Sequence, residues 1–203
     1  MYSRHTRVVE PSLTPADVEY IRENFVPLDE LCAARGQSAD RVRALIAAGS
    51  LPAASYVLED GTEMVPAEYF ELVDEAGGEG GLRGLFARRY VAAASDDDEV
   101  GSEWEGYLSG AYGVCLKHVT PENIARKSAL VAGIEGLLAA PQPEDADWRT
   151  SLRTSVDELD ELERPFAPDY DRARWGPSSR DRCITAARER YPEVFSAAAA
   201  SRG

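Results

Sequence analysis

Glu103, Trp104, Glu105, Tyr107, Ser109, Tyr112, Cys115, His118 and Glu122 crowd into one short stretch of the chain. No other segment brings carboxylates, aromatic rings, a thiol and an imidazole so close together. A carboxylate set against Trp104 or the tyrosines loses hydration. Its pKa then rises and it becomes poised to take or give a proton. That chemistry points to Glu103 and Glu105. Glu122 reads instead as a helix N-terminal charge, favoured by the dipole. His118 is the sole imidazole beyond His5, so it is a candidate proton carrier or an ordinary surface residue at a helix end. Trp104, Tyr107, Ser109 and Tyr112 are the candidate substrate-binding residues. The stretch matches no standard catalytic signature, so it locates a site without naming a reaction.

Cys115 and His118 stand three apart and share a helix face. They make half a metal set at most. The chain holds two His and three Cys, and a structural zinc takes four such ligands. No metal and no cofactor is expected. Thiol and imidazole on one helix do not readily point at each other, and the stronger reading of Cys115 is a buried small hydrophobe.

The segment 164–190 runs against the global charge. It holds seven arginines, Arg180 and Arg182 among them, against four acids, inside a chain of net charge −14. Arg forks bind carboxylates bidentately. Arg180 and Arg182 are therefore candidate anchors for an acidic small molecule, at a helix start where free amides point outward. The default is that these arginines pair with the acidic remainder of the chain.

The positioning elements are mostly helices. Thr14-Pro15-Ala16-Asp17 caps a first helix to about Asn24. Pro27 to Arg35 and Ala39 to Ala48 form two more, stopped at Gly36 and Gly49. Asp60-Gly61 between two apolar runs marks a hairpin of Tyr56-Val57-Leu58 with Met64-Val65. Pro66 opens a helix carrying Tyr69, Phe70, Leu72 and Val73. Gly77 to Gly81 breaks the chain like a hinge, dividing a subdomain 1–76 from a helical bundle 82–195. Leu82–Ala94 is helical, and Ser95 to Glu99 is a solvated acidic loop. Ser102–His118 is a helix or a broken helix. Gly106, Gly110 and Gly113 would each weaken it by about 1 kcal/mol, so another element or a ligand must approach closely there. Thr120 caps a helix to about Ala139, and Asp145 or Asp147 opens one to Arg164. A loop carrying Phe166, Tyr170 and Trp175 follows. Ser179 caps a final helix to about Tyr191, and the residues beyond Ser196, like those before Thr14, read as loose. The fold class is mainly α.

The segment Val26–Phe70 resembles the winged helix-turn-helix of MerR-type regulators and phage excisionases: two short helices, a Leu-Pro step and a small hairpin. In that family the second helix enters the DNA major groove. Here the segment has three basic residues against seven acidic, and the hairpin has no cation. Phosphate neutralisation needs several cations, so a structural or dimerising use fits better than DNA binding. The acidic chain also disfavours anionic lipid. No apolar run approaches the roughly 20 residues of a membrane span, and no signal core follows the N-terminus. Unpaired cysteine spacing fits a reducing cytoplasm.

A second resemblance spans nearly the whole chain. Tyr107-Leu108-Ser109-Gly110, Tyr112-Gly113-Val114-Cys115-Leu116, Val119-Thr120-Pro121-Glu122-Asn123-Ile124, Leu162-Glu163-Arg164-Pro165-Phe166 and Ser179-Arg180-Asp181-Arg182 are similar to a bacterial family labelled natural product biosynthesis protein. The resemblance implies secondary metabolism, antibiotic biosynthesis included, and cofactor-free ring closure of the Pictet–Spengler kind, in which an amine condenses with a carbonyl compound. It transfers no catalytic residue. The expectation is a cytoplasmic acid–base cyclase or lyase with an aromatic, carboxylate-bearing small-molecule substrate, no nucleic-acid or membrane partner, and a homodimeric form. The alternatives are a MerR-like DNA-binding or ligand-responsive regulator and a non-catalytic carrier.

Overall fold

Thr14 starts the first ordered element. Its hydroxyl accepts the Asp17 N–H, and the Asp17 carboxylate accepts the Thr14 N–H in return. This capping box buries Asp17 and launches α1, Pro15–Asn24, which presses Ile21 inward. The computed structural model describes residues 12–94, 98–165 and 169–196. The arm up to and including Pro11, Ser95 to Asp97 of the acidic loop, Phe166 to Pro168 and the tail from Ala197 lie outside the described residues.

β1 (Val26–Pro27) leads directly into α2 (Leu28–Ala34) and α3 (Ala39–Ala47). Both helices stop at the expected glycines. The residue after each glycine closes the last turn: Gln37 N–H donates to Cys32 O and Ser50 N–H to Leu45 O. The hairpin forms from β2 (Tyr56–Val57) and β3 (Glu63–Val65), with Tyr56 facing Met64. The structure adds what local pattern did not supply: β1 pairs with the free edge of β3, Val26 opposite Val65, giving a three-stranded sheet of order β1-β3-β2. Only the short α4, Glu71–Glu75, follows Pro66, after a turn.

The remainder is helical: α5 (Glu79–Ala94), α6 (Val100–Leu108), α7 (Ala111–Cys115), α8 (Pro121–Ala139) and α9 (Ala146–Leu162). Thr120 and Asp145 cap α8 and α9 through their side-chain oxygens. The expected loop after Pro165 contains a helix instead, α10 (Asp169–Trp175). Beyond it a π-helical turn, Arg180–Thr185, runs into α11 (Ala186–Arg190) and α12 (Pro192–Phe195). The cap of this last segment is Ser178, not Ser179. The Ser178 hydroxyl accepts the Asp181 N–H, and the Asp181 carboxylate accepts the Ser178 N–H. The Ser179 side chain is thereby free to face the interior.

The expected fold class is what the structure has: mainly α, with a small N-terminal sheet followed by a helical bundle. The buried core does not divide at Gly77–Gly81. One cluster runs from Leu28, Val42 and Val65 through Val73 and Leu82 to Phe86, Trp104 and Ile124. A second gathers Ile134, Leu138, Trp148, Leu152, Val156, Cys183 and Ile184. The two meet along α8, which packs against α5 on one side and α9 on the other. Among the described residues no helix is long and apolar enough to cross a membrane.

Candidate functional site

The glycines between α6 and α7 create the local geometry. Gly110 turns the chain with φ +77°, splitting the expected helix in two. Segment 52–55 of the N-terminal part lies across this corner: Ala53 N–H donates to Leu108 O at 2.8 Å, and the buried Ser55 hydroxyl reaches Gly110 O at 3.5 Å. A Cβ on Gly110 would stand 2.5 Å from the Ala53 carbonyl oxygen, and one on Gly113 would stand 2.2 Å from Ser55 Oγ. The expected close approach is thus made by the chain's own N-terminal part. Gly106 has a different task. A Cβ there would lie 2.9 Å from Cε2 of Tyr112, so its absence lets that ring fold back over α6.

Folding back brings Tyr112 to Glu103. The Tyr112 hydroxyl donates to Glu103 Oε2, and the Ser128 hydroxyl of α8 donates to Oε1 at 3.1 Å. Among the described residues Glu103 has no cation within ion-pair distance. Burial raises its pKa above the ordinary carboxylate value of 4.5; nearby Glu99 adds to the rise, and the Ser128 hydroxyl and Lys127 charge work against it.

Glu103 stands in the wall of a groove of about 910 Å³ bounded by α5, α6, α8 and the C-terminal end of α9. Small apolar residues, Ala94, Ala125, Ala129 and Ala132 among them, pave much of it. Four other carboxylates line it. Three are tied to guanidinium groups: Glu122 to Arg89 at 2.6 Å, Glu135 to Arg182 at 2.5 Å, and Glu158 to Arg126. A second hollow, of about 30 Å³, lies between segment 52–55, Pro66, Glu68 and the Gly110 corner. It has room for about one water molecule.

The remaining sequence candidates scatter. Trp104 is 5% exposed and lines neither hollow. Phe86 meets it edge-on at 5.2 Å and Tyr107 lies tilted on it at 5.5 Å, so other rings fill the space beside this candidate substrate-binding residue. Tyr107 itself is buried and borders the small hollow. Glu105 faces solvent. Ser109 closes the turn, its hydroxyl donating to Gly106 O at 2.7 Å. His118 is exposed, with Nδ1 4.0 Å from Glu68 Oε1. Arg180 is held by Asp160 at 2.7 Å and by the Arg164 carbonyl at 2.8 Å, and Arg182 by Glu135, so both are engaged within the chain.

Sequence reasoning overlooked Lys127 and Ser128. The signal was present: both interrupt the apolar stripe of α8 between Ile124 and Val131, at the positions that face inward. Ser128 serves Glu103. Lys127 turns to the other side of α7, where its Nζ lies 2.9 Å from Cys115 Sγ and 3.4 Å from Oε1 of Glu163. Glu163 is 2% exposed and also accepts the Ser179 hydroxyl. An antiparallel bridge of Leu116 with Glu163 fixes this register, through Arg164 N–H to Cys115 O at 2.8 Å. Burial pushes the Cys115 thiol up, so it stays protonated near neutral pH. Among the described residues no group of three or more His, Cys, Asp or Glu side chains is arranged to hold a metal ion.

No curated protein and no solved structure matches the chain. A family model described as "Family of unknown function (DUF6058)" matches residues 82–192, the stretch from Leu82 in the first turn of α5 to Pro192 that contains the whole groove. That match covers more than half of the 203 residues, and the chain belongs to this family.

Proposed function

We propose that the groove between α5, α6 and α8 is the active site of a cofactor-independent acid–base enzyme that joins an amine to a carbonyl compound, with Glu103 as the proton-transferring group. One observation carries the reading. Glu103 is a half-buried carboxylate without a cationic partner among the described residues, oriented by two hydroxyl donors, in the wall of a groove large enough for a small molecule. Its lifted pKa strengthens it as a base once ionised. Glu103 and Glu99, the groove carboxylates with no guanidinium partner among the described residues, favour an ammonium over an anion, so the substrate is an amine on an apolar frame rather than a carboxylate held by Arg180 and Arg182.

In this reading the amine loses its proton and condenses with the carbonyl carbon, and water leaves as the iminium forms. An electron-rich ring then attacks the iminium carbon, and Glu103 removes the proton from the ring carbon that has formed the new bond. Tyr112 and Ser128 hold the carboxylate in one orientation throughout, which limits the reorganisation required as its charge changes. In this reading the protein serves secondary metabolism in the cytoplasm, the setting that the sequence resemblance implies. The helix-turn-helix segment supports a structural role: Arg35 is held by Asp74, Arg41 by Glu79, and Arg43 by Asp29 and Glu63.

The test uses tryptamine with acetaldehyde, and phenylethylamines with the same aldehyde, followed by chromatography of the cyclised amine. The expected result is turnover that falls by about 10²–10⁴ in Glu103→Gln, with tryptamine binding retained in the Tyr112→Phe variant. Turnover equal in Glu103→Gln and wild type overturns the assignment. So does a protein that binds none of these amines but retains duplex DNA at moderate salt.

A further inference from the structure

We propose that Cys115 and Lys127 form a covalent modification site, in which dioxygen links Sγ and Nζ through a single oxygen atom and so ties α7 to α8. The two atoms stand 2.9 Å apart. An inserted oxygen spans such a gap with little movement, whereas a direct sulfur–nitrogen bond would need the two atoms to close well inside contact distance. The lysine is fixed for this role. Its side chain is 14% exposed, its Nζ lies 5.8 Å from the centre of the Tyr112 ring, and Glu163 holds it from a third side at 3.4 Å. Cys115 is half-buried, and its sulfur also faces the Ala111 and Tyr112 carbonyls. A small apolar oxidant reaches such a thiol more readily than a bulky thiol reagent does. Dioxygen adds to the thiol to give Sγ–O–OH, and the neighbouring amine attacks the sulfur-bound oxygen and expels the outer oxygen as water before the sulfur climbs to sulfinic acid.

The step balances as thiol plus ammonium plus dioxygen giving the Sγ–O–Nζ link, one water and one proton. Sulfur and nitrogen each lose two electrons. One oxygen atom enters the bridge and the other leaves as water. Glu163 is placed to receive the lysine proton, because Lys127 already points at its carboxylate. Two dithiol equivalents reverse the step, returning thiol, amine and water. The bridge stands independently of any role of Glu103, although it alters the charge beside Tyr112.

The full chain is reduced with dithiothreitol, desalted, and held in parallel in air-equilibrated and in argon-flushed buffer. The intact mass is expected to rise by about 14 Da in air alone, the gain of one oxygen and loss of two hydrogens. Proteolysis is expected to yield a peptide joining residues 115 and 127, and dithiothreitol to release it. Cys115→Ser and Lys127→Arg each abolish the gain; should either fail to fold, the wild-type masses and the linked peptide decide the question. An unchanged mass overturns the proposal. A loss of about 2 Da, from a disulfide or a direct sulfur–nitrogen bond, overturns it, as does a gain of about 16 or 32 Da confined to Cys115 with Lys127 unlinked.

Discussion

Replacing Gly110 by Ala tests whether the N-terminal segment is locked onto the α6–α7 corner. Two penalties add. A side chain with a Cβ pays roughly 1–2 kcal/mol for the left-handed backbone at φ +77°. The new methyl would also sit 2.5 Å from the Ala53 carbonyl oxygen, a backbone atom that cannot swing aside. Crowding of this kind costs roughly 1–3 kcal/mol. Reduced freedom of the unfolded chain returns roughly 0.4–1 kcal/mol. The net loss is about 1–5 kcal/mol, which for a chain of this size lowers Tm by about 2–18 °C. Gly133 is the control. It lies inside α8 with nothing within 4 Å of a built Cβ, so Gly133→Ala gains about 0.5–1 kcal/mol from helix propensity and raises Tm by about 2 °C. Gly113→Ala falls between Gly110→Ala and wild type, because the Ser55 hydroxyl 2.2 Å away can rotate, at the loss of its bond to Gly110 O. Thermal unfolding followed by far-ultraviolet circular dichroism reads all three. A Gly110→Ala protein that melts with the wild type, or a Gly133→Ala protein that melts below it, refutes the packing argument.

Further outcomes follow from the buried carboxylates. Tyr56 donates from its hydroxyl to Asp171 Oδ2 at 2.6 Å, while Asp171 Oδ1 is buried without a hydrogen-bond partner among the described residues. Tyr56→Phe therefore costs about 1–3 kcal/mol in urea unfolding near neutral pH, and an unchanged midpoint would show that Asp171 finds another donor. For Glu103 the folded pKa lies above the unfolded one because burial disfavours the charged form. The folded state then holds the proton more tightly, so the stability that Glu103 contributes is present below its ordinary value of 4.5 and drains away as pH rises through the folded value. Glu103→Gln lacks that loss. Its stability relative to wild type should improve from pH 4.5 toward pH 7, with Glu99 and Lys127 as the neighbouring charges common to both proteins. A flat or falling difference between the two unfolding curves would contradict the direction assigned to Glu103.

Helix starts, stops and the hairpin were legible because their causes lie within a few residues. Thr14 with Asp17, Thr120 ahead of Pro121, and Asp60-Gly61 satisfy or bend backbone beside them whatever the rest of the chain does. Even there, adjacent serines misled: Ser178 caps the last segment and Ser179 does not, since Asp181 stands three residues after the former. The charge pattern likewise anticipated that the C-terminal arginines would pair inside the chain, because carboxylates outnumber cations overall.

The site was only half written in the sequence. Glu103 and Tyr112 stand out by type, and the three glycines announce that something comes close. What comes close was not readable, because Ala53 and Ser55 reach Gly110 and Gly113 only through the packing of one element on another. The same holds for β1, whose partner on β3 is remote in sequence. It holds for Trp104, whose neighbours are settled by how α5 crosses α6, and for Lys127, which meets Cys115 and Glu163 only once the ends of α7 and α9 pair beside α8. Local sequence sets dihedral preferences and which face of a helix is apolar. Which side chains from distant segments share one dry space depends on crossing angles and register, and these are set by the whole core at once.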